Sequence, residues 1–234
     1  MIRNFAVFLL LLGLAAIFMH LMQGYIPATG LNQTAQYYAE HAAQDLGAAN
    51  IVTAIIVTYR GLDTLGEVTV LFLASTIIGM VLAHGSNKHR RALQRKLPPS
   101  GELLTTGSRL LTPLILLFGA YVFLNGHLTP GGGFQGGAIL ASAALLLLLT
   151  DPLRRFSHRL IAVVESISGL VFVGLGVLGL LLAGGFLDSR ILPAGDFGTL
   201  FSAGAIPLIY SFVGLKVGAE FTSMLAHLAE TERS

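Results

Sequence analysis

Charge is scarce in this sequence. Only 11% of its 234 residues are Asp, Glu, Lys or Arg, where a soluble domain carries about a quarter. Cysteine is absent, which excludes disulfides, thiolate metal sites and iron–sulfur ligation by this chain. The few basic residues form no face with interleaved aromatics, which argues against nucleic-acid binding. No Ser/His/Asp or Cys/His constellation occurs, nor a carboxylate pair in a polar domain, nor a cofactor motif. The chain alone is therefore expected to be no enzyme and to hold no cofactor. What is present is apolar: 54% of the residues are hydrophobic, arranged in long uncharged runs that mark an integral membrane protein.

The expected fold is all-α, a polytopic membrane helical bundle of about six transmembrane helices plus one short embedded helix. A crossing helix needs ~20 mostly apolar residues. Segments 5–22, 65–83, 110–125, 134–150, 160–184 and 200–226 fit that description, the third and fourth shortened by a glycine segment that joins them. Residues 51–58 are apolar but too short to cross, and read as a partly embedded helix. No small-residue cleavage pattern follows Met22, so the first run reads as a retained helix. Lys88, Arg90, Arg91, Arg95, Lys96 and Arg109 fall between spans two and three, and Arg154, Arg155 and Arg159 between spans four and five. The opposite loops hold Glu40, Asp45, Asp63, Asp188 and Asp196 against Arg60 and Arg190. This asymmetry predicts cytoplasmic basic loops and cytoplasmic termini.

Residues 84–101 form a polar, basic, Pro-containing linker. They divide the chain into a two-span module, 1–83, and a four-span module, 102–234. No sequence repeat relates the two, so an inverted-repeat transporter is not indicated.

The scarce ionisable residues stand out. Gly61 can end the short embedded helix, and Thr64-Leu65-Gly66-Glu67 fits a capping box opening the second span. Glu67 then reads as a helix-start carboxylate favoured by the dipole, or, with Asp63, as a gatherer of cations at the outer mouth. Glu165 lies inside span five, where an ionisable group usually faces protein or water. Lys216 and Glu220 are four residues apart on one face near the inner end of span six. They read either as a pair snorkelling to the interface or as part of a proton or sodium route.

Gly126-His127-Leu128-Thr129-Pro130-Gly131-Gly132-Gly133-Phe134-Gln135-Gly136-Gly137 interrupts apolar sequence. Its backbone amides must be satisfied by protein or by a wet cavity. The formal Gly131-x-Gly133-x-x-Gly136 match to a dinucleotide fingerprint lacks a βαβ context and is accidental. His127 has no second ligand at metal spacing, so no metal site is expected. Gly132/Gly136, Gly133/Gly137 and Gly214/Gly218 are small-xxx-small pairs, and Ala141 and Ser142 extend the first two into a slim face for close helix packing. His127 and Gln135 supply polar contacts.

The glycine segment, opening an apolar helix, resembles the signature of the B subunit of the multisubunit Na+/H+ antiporter, the Mrp or Mnh type (MnhB/MrpB), whose four spans match residues 103–226. The upstream Asn50-Ile51-Val52-Thr53 and Arg60-Gly61-Leu62-Asp63-Thr64-Leu65-Gly66-Glu67 resemble the tail of that antiporter's A subunit, a module also found as a small membrane-bound hydrogenase subunit. The fusion of both in one polypeptide departs from the separate antiporter subunits. The resemblance implies an accessory subunit in a prokaryotic inner membrane that helps form the Na+ and H+ path and packs against other subunits, which carry the main pumping lysines and glutamates. It raises Asp63, Glu67 and His127 as ion-path contributors beside Glu165, Lys216 and Glu220. The alternative it leaves open is a structural subunit of a redox-driven complex, a membrane-bound hydrogenase or complex I relative, that passes no ion itself.

Overall fold

A computed structural model describes residues 2–25, 29–89, 100–151 and 155–233. Arg90, Arg91, Arg95, Lys96 and Arg154, part of the charge asymmetry, lie outside the described residues. In chain order the helices are α1 (Ile2–Gln23), α2 (Gln33–Leu46), α3 (Ile51–Thr53), α4 (Gly61–His89), α5 (Glu102–Leu124), α6 (Gly133–Thr150), α7 (His158–Leu182) and α8 (Ile206–Arg233), and no strand occurs among the described residues. α3 continues as a π-helix over Ala54–Tyr59. Among the described residues six helices, α1 and α4 to α8, are long and apolar enough to cross a membrane. The chain is thus the multi-pass α-helical membrane protein expected from its apolar runs, with the short embedded helix at 51–59.

Element boundaries differ in instructive ways. The sixth span begins at Ile206 rather than at residue 200, because Ala203 and Gly204 have φ of 64° and 58° and a right-handed helix cannot pass through them. The third span begins at Glu102, earlier than its apolar run. α4 continues to His89, into the segment read as linker. The polar helix α2 has no apolar run to announce it.

The chain forms two compact units, Met1–Tyr37 and Tyr38–Ser234. In the first, α1 is apolar around its circumference. In the second, α8 is central: α4, α5, α6 and α7 all pack on it, and α6 also packs on α5.

Glycines make the α5–α6–α8 contact. A Cβ on Gly136 would lie 2.7 Å from the Gly119 carbonyl oxygen of α5. On the other flank of α6, a Cβ on Gly133 or Gly137 would lie 2.7 Å from the Cβ of Val213 or Val217. Gly214 returns the fit from α8, where a Cβ would stand 2.6 Å from the Phe123 ring, while Gly218 is looser at 3.3 Å from the Gly137 oxygen. Backbones approach this closely only where side chains are missing. The slim face runs on through Ala141, Ala143 and Ala144. Ser142 is a correction: it is exposed and bonds the Ile139 carbonyl at 2.6 Å. Gly132 plays a different part. It enters α6 at φ 155° and ψ −177°, a region open essentially to glycine alone.

Candidate functional site

At the glycine-loop end of the bundle, a polar network ties α3 to the loop and to α8. Asn50 caps α3, its Oδ1 accepting from the Val52 and Thr53 amides. Its Nδ2 donates to the Gly126 and Thr129 carbonyls at 2.9 and 3.0 Å, and its backbone N–H donates to the His127 carbonyl at 2.9 Å. The Thr53 hydroxyl donates to Gly126 at 2.6 Å, and Tyr210 Oη donates to Thr53 at 3.2 Å. A non-helical loop at membrane depth must have its carbonyls satisfied within protein, and this network does so. Gly126 is glycine for lack of room, since a Cβ would lie 2.7 Å from the Tyr210 ring.

The π-helix widens the turn before α4, a geometry common near functional sites. Thr64 is buried and donates its hydroxyl to the Ile56 carbonyl at 2.8 Å. It lies inside α4, so the expected capping box does not form. Gly61 opens α4 rather than ending the preceding helix, and a Cβ there would lie 2.6 Å from the Phe186 oxygen.

Between the π-helix, α4, the start of α6 and α8 lies a cavity of about 710 Å3 whose polar side chains are Thr64, Glu67, Gln135 and Tyr210. Among the described residues, Glu67 is the one carboxylate on its mainly apolar wall. The fold therefore brings Glu67 and the glycine segment together.

Asp63 and His127 do not line this cavity. Asp63 is half-exposed and pairs with Arg60. His127 is 0% exposed, with Nε2 3.2 Å from the Thr199 carbonyl oxygen. Burial pulls its pKa below the usual 6.5, against the opposing pull of the Thr199 and Leu124 carbonyls, so at neutral pH its ring is neutral and fastens the loop before α8. Asp188 steadies the same loop. Burial would raise its pKa, but hydrogen bonds and charge from Arg190 outweigh that and hold it low, with Arg190 Nε 2.9 Å from Oδ1.

A second charged cluster sits between α4, α7 and α8. Lys216 Nζ is 2.8 Å from Glu220 Oε1, and their side chains are 10% and 0% exposed. Correctly started at Ile206, α8 carries this pair near its middle, well inside the span. The snorkelling anchor is therefore overturned. Lys216 also faces the Phe72 ring at 5.0 Å, and shares with Glu165 a cavity of about 320 Å3. No group of three or more His, Asp or Glu placed to hold a metal occurs among the described residues. The sequence marks Asn50 and Thr53 only as part of a resemblance and Tyr210 not at all, and carries no sign that the three meet at the loop.

Residues 103–223 match the family model described as a domain related to the MnhB subunit of Na+/H+ antiporter, and residues 4–90 match the model for the E subunit of MBH. An uncharacterized protein of Methanocaldococcus jannaschii is 33% identical over 194 residues, 72% of each chain. The B subunit of the Na(+)/H(+) antiporter of Bacillus subtilis is 42% identical over 81 residues, 35% of this chain and 51% of that protein. Among solved structures, a chain of the membrane-bound sulfane sulfur reductase, an archaeal respiratory membrane complex, matches with a TM-score of 0.81 at 38% identity, over 97% of this chain and 98% of its own. A chain of the Mrp complex from Dietzia sp. DQ12-45-1b matches with a TM-score of 0.77 at 27% identity, over 98% of this chain and 26% of its own.

Proposed function

The chain belongs to the family of membrane subunits related to MnhB of the Na+/H+ antiporter, and from that premise we propose that it is an accessory subunit of a multisubunit monovalent cation/proton antiporter module. Its partners are the other membrane subunits of such a complex, and its two modules, 1–83 and 102–234, are joined through the basic linker. It lies in a prokaryotic inner membrane with both termini cytoplasmic, so that the glycine loop and Glu67 face the outer side. The observation that carries the ion role is the Glu67 cavity. A lone carboxylate among apolar walls favours a cation over an anion or neutral solute, and Thr64, Gln135 and Tyr210 supply neutral polar groups around it. The glycine contacts of α5, α6 and α8 support the packing role.

The test is Glu67→Gln in the assembled complex, read as cation-dependent proton exchange in inverted membrane vesicles. Exchange is expected to be lost while the complex co-purifies intact. Normal exchange in an intact complex would remove the ion role.

A second reading, a structural subunit of a redox-driven complex, is favoured by the end-to-end match to the sulfane sulfur reductase chain, 98% of whose own length is covered against 26% of the Mrp complex chain. A mild-detergent pull-down separates the hosts: redox subunits in the eluate favour this reading, antiporter subunits alone the first.

A further inference from the structure

Lys216 has one carboxylate as its ion-pair partner and a second on the wall of the cavity it lines. Its Nζ is 2.8 Å from Glu220 Oε1 on its own helix. On the α7 side it rests against Gly169, where an added Cβ would lie 3.5 Å from Nζ. Glu165 stands one turn before Gly169 on the same face, and lines the 320 Å3 cavity with Lys216. Glu220 is 0% exposed, and neither of its oxygens accepts a hydrogen bond of good geometry among the described residues.

Counting charge decides what the cluster lacks. One ammonium faces two carboxylates, so the fully ionised group is one positive charge short of neutral, a costly state inside a bilayer. Among the described residues no other ionisable group makes up the difference. The α4 side chains facing the cavity are Leu65, Val68, Thr69 and Phe72, and α6 contains no ionisable residue. On α5, Glu102 and Arg109 do not line the cavity. On α7 and α8, Tyr210 sits at the glycine-loop end, bonded to Thr53, and toward the other end His158 pairs with Glu230 at 2.7 Å and stacks on His227, with Arg159 beside it in sequence. A metal cation would need several oxygens, and besides Glu165 the lining offers only the hydroxyls of Ser166 and Thr69. A proton needs one.

We propose that Lys216, Glu220 and the half-buried Glu165 form a proton-exchanging station within the span, in which one proton and the Lys216 ammonium are divided between the two carboxylates. With the ammonium on Glu220, as in the structure, the proton sits on Glu165. In the alternative arrangement the ammonium leaves its proton on Glu220, its partner at 2.8 Å, and the neutral amine turns past Gly169 and takes the proton of Glu165, so that the ion pair now lies between Lys216 and Glu165 and the proton on Glu220. Both arrangements are neutral. The absent side chain at Gly169 leaves the space for this turn. The role of the station in transport rests on the antiporter reading above.

Infrared difference spectra of the assembled complex test it through the carbonyl band of a protonated carboxyl group, which shifts in D2O. Glu165→Gln and Glu220→Gln should each remove one such band, because a single carboxylate then remains to pair with Lys216. Lys216→Met should add a second band, roughly doubling the signal assigned to the cluster. In vesicles, both Gln variants should lower cation-linked proton exchange by about tenfold or more with the complex assembled. A band unchanged in both Gln variants overturns the station, whatever Glu67→Gln does. Bands that behave as stated, with no cation-linked exchange in wild-type vesicles, uphold the station and overturn the antiporter reading instead.

Discussion

Removing the side chain of Asn50 should release the glycine loop, and the structure sets the size of the effect. The cap on α3 is worth ~1 kcal/mol, and each of the two amide bonds to the loop carbonyls adds ~1 kcal/mol. Gly126 keeps the Thr53 hydroxyl at 2.6 Å, so its oxygen stays satisfied, and Thr129 bears the loss of its 3.0 Å bond. Asn50→Ala and Asn50→Ser both lose the two amide bonds and should each cost ~2 kcal/mol of loop docking, while the Ala variant alone also loses the α3 cap, ~1 kcal/mol of helix stability. The loop contribution corresponds to a roughly 30-fold rise in the fraction of open loop. The sequence contains no cysteine, so a single Leu128→Cys gives a clean reporter, with maleimide labelling rate as the readout. Both variants should label much faster than the parent, the Ala variant at least as fast as the Ser variant. Parental rates in Asn50→Ala would refute the claim that this residue holds the loop.

Gly133→Leu should overpack α6 against α8, since its Cβ alone would lie 2.7 Å from Val213; a loss of ~1–3 kcal/mol or more should appear as a lower Tm, whereas Gly174→Leu, with nothing within 4 Å, should leave Tm unchanged. His127 makes folding sensitive to acid. Its folded pKa lies below the unfolded value of 6.5, so the unfolded state binds more protons between the two. Stability is full above about 6.5 and declines as pH falls toward the lowered value. His127→Gln should flatten a Tm-versus-pH series below 6.5, and an unchanged slope would place the titration elsewhere.

The spans were legible because the bilayer dictates their length and permits almost no charge. The start of α8 was not, because Leu200 and Phe201 are apolar yet sit in a loop that Ala203 closes at positive φ. That one misplacement shifts Lys216 and Glu220 toward the interface when the sequence is read alone. Their i,i+4 spacing was plain, but their depth depended on a backbone angle that composition does not encode. The small-xxx-small pairs could be read from spacing, while their partners Gly119, Val213 and Val217 could not. The joint role of Asn50, Thr53 and Tyr210 was hidden for a related reason. Each is an ordinary polar residue, and the bonds from Asn50 to Gly126 and from Tyr210 to Thr53 span separations of 76 and 157 residues. Glu67 and Gln135 were each singled out, and only the fold shows that they line one cavity.

The Glu67 cavity and the Lys216 cavity lie on different faces of α4, and Val68 is the residue common to both linings. It is 4% exposed and part of the hydrophobic core. A dry valine between Glu67 and Lys216 means that a charge arriving at one cavity does not pass directly to the other, because an ion inside the partition would have neither water nor a polar group to replace its hydration. On the proposed ion role, the two cavities would belong either to separate routes completed by neighbouring subunits, or to one route that opens when α4 shifts against α8. Ser75 supplies a contact on which such a shift would act: its hydroxyl donates to the Glu220 backbone carbonyl at 3.4 Å, a long bond that ties α4 to the carboxylate-bearing turn of α8. Movement of α4 would then reach Glu220 and the cavity partition together, which gives the two carboxylate sites a mechanical connection where an electrostatic path is closed.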